Sequence, residues 1–293
     1  MTRVAGLHRL TLRAPNLERL GAFYRDVWGM RLAHRDHRRW LLQSRASPFA
    51  DLCIEASADA AAGLVSLGLR VNREQNLAPL LADAAKAGGR ITRPPSASSE
   101  HAGEFGASLD DPDGNRIELT VQGDQAPGPA PAGIGPQLTG PLRIGHVVLW
   151  TPRIEAMEAF YSQLGLHVTD RTAMGMSFLR CNPDHHSVAL VRHKEKTGLQ
   201  HVAFDVGSID AVMCEKGRLT AAGLECVWGP GRHGPGNNVF SYYRDPAGNI
   251  IELYGDMQQI SDAAVPAEPV YWGPEHRGDI WGVAGPAPQA FRS

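Results

Sequence analysis

The sequence predicts an α+β protein of two domains, each built from two paired units of strand, helix, and then two or three more strands. Three observations lead there. At 293 residues the chain exceeds the usual reach of one hydrophobic core. The stretch QGDQAPGPAPAGIGPQLTGP at 122–141 reads as a linker, because its prolines and glycines resist both helix and strand. The segments flanking it repeat each other: RLTLRAPNLERLGAFYRDVWGM from Arg9 answers HVVLWTPRIEAMEAFYSQLGL from His146, and LDDPDGNRIELT from Leu109 answers YRDPAGNIIELY from Tyr243. The expected parts are an N-terminal domain at 1–121, the linker at 122–141, a C-terminal domain at 142–258 and a tail at 259–293.

The C-terminal repeat is the better patterned. HVVLW from His146 reads as a strand. It is followed by a helix whose Ile154, Met157, Phe160, Tyr161 and Leu164 share a face, with Thr151 and Pro152 suited to N-cap and first-turn positions. MSFLRC and HSVALVRH are strand-rich. HVAFDV from His201 starts the second unit, whose helix is capped by Ser208, turns Ile209, Val212, Met213 and Leu219 inward, and stops near Gly223. NVFSYY, the DPAGN turn and NIIELY close it as a hairpin. The tail has too little periodicity for an element of its own. It is expected to lie over the C-terminal domain or a neighbouring subunit, with Arg277 able to cap a pocket.

Composition removes several function classes. A formal charge of -2 and a pI near 6.6 show no basic surplus for nucleic acid. No apolar run approaches a membrane span, and MTRVAGLHRL lacks the core of a signal peptide, so a cytoplasmic protein is expected, with no membrane partner. Cys53, Cys181, Cys214 and Cys226 form no CxxC pair and are read as reduced and buried. The loop GPGRHGPGNN lacks the GK[ST] ending of a phosphate cradle.

The repeat also serves as an internal control. Aligning the halves sets Arg9 opposite His146, Ser66 opposite His201, Glu118 opposite Glu252, and Ser108 opposite Tyr242. Counting back fifteen residues from Ser66 sets Asp51 opposite His186. His101 falls two places from alignment with His233. Shared letters mark architecture, and letters confined to the second half mark chemistry. Two histidines that start equivalent strands, plus a carboxylate on a closing strand, make a two-His, one-carboxylate set for an octahedral metal with open positions. Ordinary hairpin pairing about Ala247 makes Tyr242 a cross-strand neighbour of Glu252.

With these residues in hand, the chain resembles the two-domain type I extradiol ring-cleaving dioxygenases (catechol 2,3-dioxygenase-like) of the vicinal oxygen chelate superfamily. The resemblance is carried by His146 in GHVVLW, His186 in HSVAL, His201 in LQHVAF, His233 in GRHGPGNN, Tyr242 in SYYRDP and Glu252 in NIIELYGD. It implies the glyoxalase-like fold of paired βαβββ modules and Fe(II), or Mn(II), on His146, His201 and Glu252. It further implies a catechol-type substrate with O2, and a homo-oligomer. His186 would transfer protons, His233 would hydrogen-bond the substrate oxygen, and Tyr242 would stabilise charge on it. His185 could exchange roles with His186. Met176 and Phe178, with Met174, are candidate pocket residues. Two other readings stay open: a metal-dependent glyoxalase-like isomerase or epimerase, and a non-catalytic small-molecule-binding module.

Overall fold

Four βαβββ units succeed one another along the chain. The computed structural model describes residues 4–57, 61–97, 104–121, 140–260, 268–276 and 278–291. The first unit comprises β1 (Val4–Ala14), α1 (Leu17–Ala22), β2 (Arg31–Arg35), β3 (Arg39–Gln43) and β4 (Leu52–Ala56). The second has β5 (Gly63–Val71), α2 (Leu77–Lys86), β6 (Arg90–Ala97), β7 (Phe105–Asp110) and β8 (Arg116–Val121). The third has β9 (Arg143–Thr151), α3 (Ile154–Gln163), β10 (His167–Thr172), β11 (Met176–Arg180) and β12 (Val188–Arg192). The fourth has β13 (Gly198–Gly207), α4 (Ile209–Ala221), β14 (Trp228–Arg232), β15 (Val239–Arg244) and β16 (Ile250–Gly255), after which β17 (Val270–Trp272) is added.

Units pair to make two sheets, one from each half of the chain. Within every unit the first strand lies parallel to the last, as β9 does to β12 and β13 to β16. The units of a pair then meet through antiparallel first strands, β1 with β5 and β9 with β13. Because strand side chains alternate between faces, each sheet divides its residues by parity. In the second sheet Val147, Leu149, Val202, Phe204, Ile251 and Leu253 enter the main core with Met157, Phe160 and Tyr161 of α3. His146, Val148 and Trp150, with His201 and Ala203, and Ile250, Glu252 and Tyr254, point the other way, to the opposite face of the sheet.

The repeated motifs lock the halves together crosswise. In each DPxGN turn the aspartate accepts backbone and side-chain hydrogen bonds from its own asparagine, Asp111 from Asn115 and Asp245 from Asn249. Each aspartate also accepts from the tyrosine of the AFY motif in the opposite half: Tyr24 donates to Asp245 at 3.1 Å and Tyr161 to Asp111 at 3.3 Å. The main core is accordingly continuous from Leu10 and Trp28 of the first half to Tyr243 and Leu253 of the second.

Several expectations need correction. Thr151 ends β9 and does not cap α3; Arg153 occupies the cap position, and the Thr151 hydroxyl accepts the Arg153 N–H at 2.9 Å. Ser208 does cap α4, accepting from the Ala211 N–H, but Met213 is exposed and Glu215 takes the buried place, paired to Arg218. Cys214 is exposed rather than buried. The tail does form an element, since β17 pairs in parallel with β10 at the sheet edge. Most of the linker, His101 and Arg277 lie outside the described residues. No described helix is long and apolar enough to cross a membrane.

Candidate metal centre

Three strands deliver three side chains to one point. His146 stands on β9, His201 on the neighbouring β13, and Glu252 on β16 beyond it, all buried and all on the same face of the sheet. Their nearest ligand atoms lie within 4.8 Å of one another. His146 Nε2 is 3.2 Å and His201 Nε2 3.1 Å from the same carboxylate oxygen, Glu252 Oε2. Gly145 is required by close packing just before His146, because a Cβ there would stand 1.7 Å from the Tyr254 hydroxyl oxygen.

The donor set suits a divalent ion. The Gln200 side-chain oxygen contacts His201 Nδ1 and can only accept, so Nδ1 carries the proton and Nε2 keeps its lone pair. That Nε2 is buried and makes no aligned hydrogen bond, although it nearly touches the carboxylate. Burial pushes the His201 pKa down despite Glu252, favouring the neutral imidazole that binds metals. Burial alone would raise the Glu252 pKa, but His146 and His201 outweigh it and hold the carboxylate ionised. Asn238, fully buried, donates to the other oxygen of Glu252 at 3.2 Å.

His186, His233 and Tyr242 face this group. His186 lies in the turn before β12, and its ring centroid is 4.3 Å from that of His146. Burial, reinforced by the surrounding imidazoles, lowers its pKa well below the ordinary histidine value. Tyr242 pairs directly across the hairpin with Glu252. Its hydroxyl is 2.9 Å from His233 Nε2, and burial followed by Glu252 raises its pKa well above 10. His233 Nδ1 meets the Gly278 carbonyl at 2.6 Å. A carbonyl only accepts, so Nδ1 carries the His233 proton and Nε2 accepts from the tyrosine.

His185 does not share the place of His186. It lies behind it, with Nδ1 3.1 Å from His186 Nδ1 and Nε2 3.1 Å from Asp170. Phe178 borders the site, its ring 5.0 Å from His186, and packs with Val148, Trp150, Ala189 and Val191 as an apolar wall with Met176 at its edge. Met174 is 62% exposed, in the β10–β11 turn.

Sequence reasoning missed Gln200, Asn238 and Asp170, and it laid the tail over this domain without naming the contacts that the tail makes. The first was findable from its place beside His201. The tail supplies Gly278 to His233, Trp272 Nε1 to Asp170 at 2.6 Å, and Phe291 against Tyr242 and Trp228. None of these has a periodic signal.

The first sheet keeps the hollow without the ligands. Arg9, Ser66, Ser108 and Glu118 line a cavity of about 1150 Å³ there. One aligned position shifts, however. The Leu10 N–H bonds the Asp51 carbonyl where the Val147 N–H bonds that of Ser187, so Ala50, and not Asp51, corresponds to His186. A one-residue difference between the β4–β5 and β12–β13 connections causes the slip.

Paired βαβββ units, with a buried His, His and Glu brought together on one face of a sheet, place the chain in the paired-module class with a group suited to a metal. The chain belongs to the Glyoxalase/Bleomycin resistance protein/Dioxygenase superfamily, whose model matches residues 6–119 and 143–253. It is 30% identical over 198 residues to metapyrocatechase 2 of Cupriavidus necator, covering 59% of this chain and 62% of that protein. It is 31% identical over 158 residues to biphenyl-2,3-diol 1,2-dioxygenase 2 of Rhodococcus globerulus, covering 50% of this chain and 78% of that protein. In three dimensions it resembles the Mn(II)-bound glyoxalase from Novosphingobium aromaticivorans, with TM-score 0.89, 27% identity and coverage of 99% and 94% of the two chains. It also resembles the 2,3-dioxygenase LapB of a Pseudomonas species, with TM-score 0.80, 26% identity and coverage of 93% and 98%.

Proposed function

We propose that the chain is an extradiol dioxygenase that opens the aromatic ring of a catechol-type substrate with O2, using one Fe(II) held by His146, His201 and Glu252. Residues 142–258 would form the catalytic domain and 1–121 its metal-free partner. The observation that carries the reading is the convergence of a buried two-His, one-carboxylate group with His186, His233 and Tyr242 around one point. The ring-cleaving names of relatives near 30% identity agree with it.

Bound there, Fe(II) would supply open coordination positions and redox chemistry where a catechol and O2 meet, and Mn(II) suits the same ligands. The chain's own groups have separable tasks. Neutral His186, with its depressed pKa, accepts a proton released when the catechol ionises and later returns one to the opening ring. Tyr242, whose hydroxyl stays protonated, donates to a substrate oxygen as negative charge grows on it. His233, its Nδ1 proton held by Gly278, has Nε2 free to accept a hydrogen bond from a catechol hydroxyl once Tyr242, its partner in the structure, turns its own proton to the substrate. The wall around Phe178 and Trp150 excludes water and takes the ring face.

The test is anaerobic reconstitution with Fe(II), addition of a catechol panel, then oxygen. Oxygen uptake with a yellow ring-fission chromophore is expected, and no uptake with any catechol despite bound iron would overturn the proposal. His146→Ala should lose iron, whereas Tyr242→Phe should keep iron and lose turnover by about 100-fold. The likeness to a Mn(II)-bound glyoxalase favours one second reading, a metal-dependent isomerase. That chemistry ordinarily uses two carboxylates among four ligands, and the group among the described residues has one. Turnover of a glutathione hemithioacetal without oxygen uptake would install it instead.

A further inference from the structure

A second cavity, of about 530 Å³, lies on the seam between the two sheets, bounded by Gly6 to Leu10 of β1, the 46–49 loop, Arg70 near the end of β5, Arg143 to Gly145 of β9, and Asn182 to Asp184. Most charges around it are spent. Arg9 pairs with Glu104 at 2.9 Å, and Arg143 with Asp184 at 2.6 Å and Asp205 at 2.7 Å. The Asp51 oxygens accept backbone N–H groups from Ser44 and Ile144. Asp184 also accepts from Gln259.

Three donors are left over. The Arg70 guanidinium makes one hydrogen bond among the described residues, to the Ala5 carbonyl at 3.1 Å, and meets no described carboxylate. Its neighbours include the Cys181 thiol and a second arginine, Arg143, and no described carboxylate pairs with it. His8 is 3% exposed, and neither ring nitrogen makes a hydrogen bond, the nearest approach being 3.5 Å to Glu104. Asn182 spends its side-chain oxygen on the Asp184 N–H and the Ser187 hydroxyl, leaving its NH2 without a described acceptor. These groups face each other because Gly6 stands between them with φ +152°. A Cβ there would lie 3.1 Å from Arg70 Nη2 and 3.6 Å from Asn182 Nδ2. Leu7, Pro48, Phe49 and Leu142 supply apolar surface to the same cavity, with the His8 ring 4.4 Å from that of Phe49.

We infer that this seam is a binding site for a small organic carboxylate with an apolar body. The carboxylate would sit on Arg70 in the planar, paired geometry that guanidinium favours, with Asn182 and His8 beside it and the body against Phe49. The volume falls in the range of small-molecule sites, which often occur between domains. Such a ligand joins Arg70 of one half to Asn182 of the other, four residues before His186. The inference is independent of the reaction proposed above.

Benzoate serves as the probe, titrated calorimetrically into the metal-loaded protein, with inorganic phosphate and sodium chloride as comparators. Saturable benzoate binding is expected, at least tenfold tighter than that of either comparator. Arg70→Met should weaken it tenfold or more. Asn182→Asp, which keeps the acceptor for the Asp184 N–H but opposes the anion with a negative charge, should do the same if Arg70→Met does not fold. The metal-free protein should bind benzoate with the same affinity, since the metal centre is elsewhere. Absence of benzoate binding, binding no tighter than phosphate, retention of full affinity in the Arg70 and Asn182 variants, or loss of binding in the metal-free protein would each overturn the site.

Discussion

Tyr24, on the helical turn after β1, donates its hydroxyl to Asp245, 221 positions later in the chain, and Tyr161 returns the same bond to Asp111 of the first half. The two contacts are related by the internal repeat, so each half supplies one tyrosine and one turn aspartate. Burial and then the carboxylate raise both phenol pKa values well above 10, so the hydroxyls remain donors at all working pH.

Tyr24→Phe and Tyr161→Phe should each lower unfolding free energy by about 1 kcal/mol, because each aspartate keeps its hydrogen bonds from its own asparagine. The two sites share no partner, so the double variant should be additive. Urea unfolding of the four proteins measures this.

His185 and Asp170 form a support behind His186. If His185 gives its Nε2 proton to Asp170, its Nδ1 accepts from His186 and leaves His186 Nε2 free toward the site. Asp170→Asn should lower ring-cleavage kcat by about tenfold while KM and iron content stay unchanged. Metal analysis beside steady-state oxygen uptake checks it, and loss of iron would assign Asp170 a folding role instead.

Truncation after Ile260 removes the Gly278 carbonyl from His233 and Phe291 from Tyr242, but takes nothing from His146, His201 or Glu252. Iron content should persist, kcat/KM should fall by about tenfold or more, and Trp228 emission should shift to the red as its cover leaves.

Asp51 gives stability a pH dependence. Burial raises its pKa to about 6 from 3.8, outweighing the hydrogen bonds from Ser44 and Ile144. The folded state therefore holds its proton more tightly than the unfolded chain. Its contribution is full below about pH 4 and is lost as pH rises through about 6, on the order of 3 kcal/mol. Asp51→Asn keeps an acceptor and removes the titration, so its melting temperature relative to wild type should rise between pH 4 and pH 7. An equal difference at both pH values would show that Asp51 does not titrate in this range.

Much was legible in the amino-acid order. Strand and helix periods are local, so the four units, the inward face of α3 and the Ser208 cap could be read from neighbours in the chain. Comparing the halves separated shared scaffold from second-half chemistry, and hairpin symmetry about Ala247 set Tyr242 against Glu252. The sequence alone therefore determined the architecture and the candidate ligands.

Tertiary structure decided the partners. Asn238 on Glu252, the contacts of Asp170 with His185 and Trp272, and the hold of Gly278 on His233 depend on which segments separate in the chain fold against one another. A single connection differing by one residue was enough to misplace Asp51, because counting back across it from Ser66 carries the difference to every position beyond. The contact between Gly278 and His233 spans 45 residues, that between Trp272 and Asp170 spans 102, and the seam around Arg70 joins the two halves, so no local pattern encodes them.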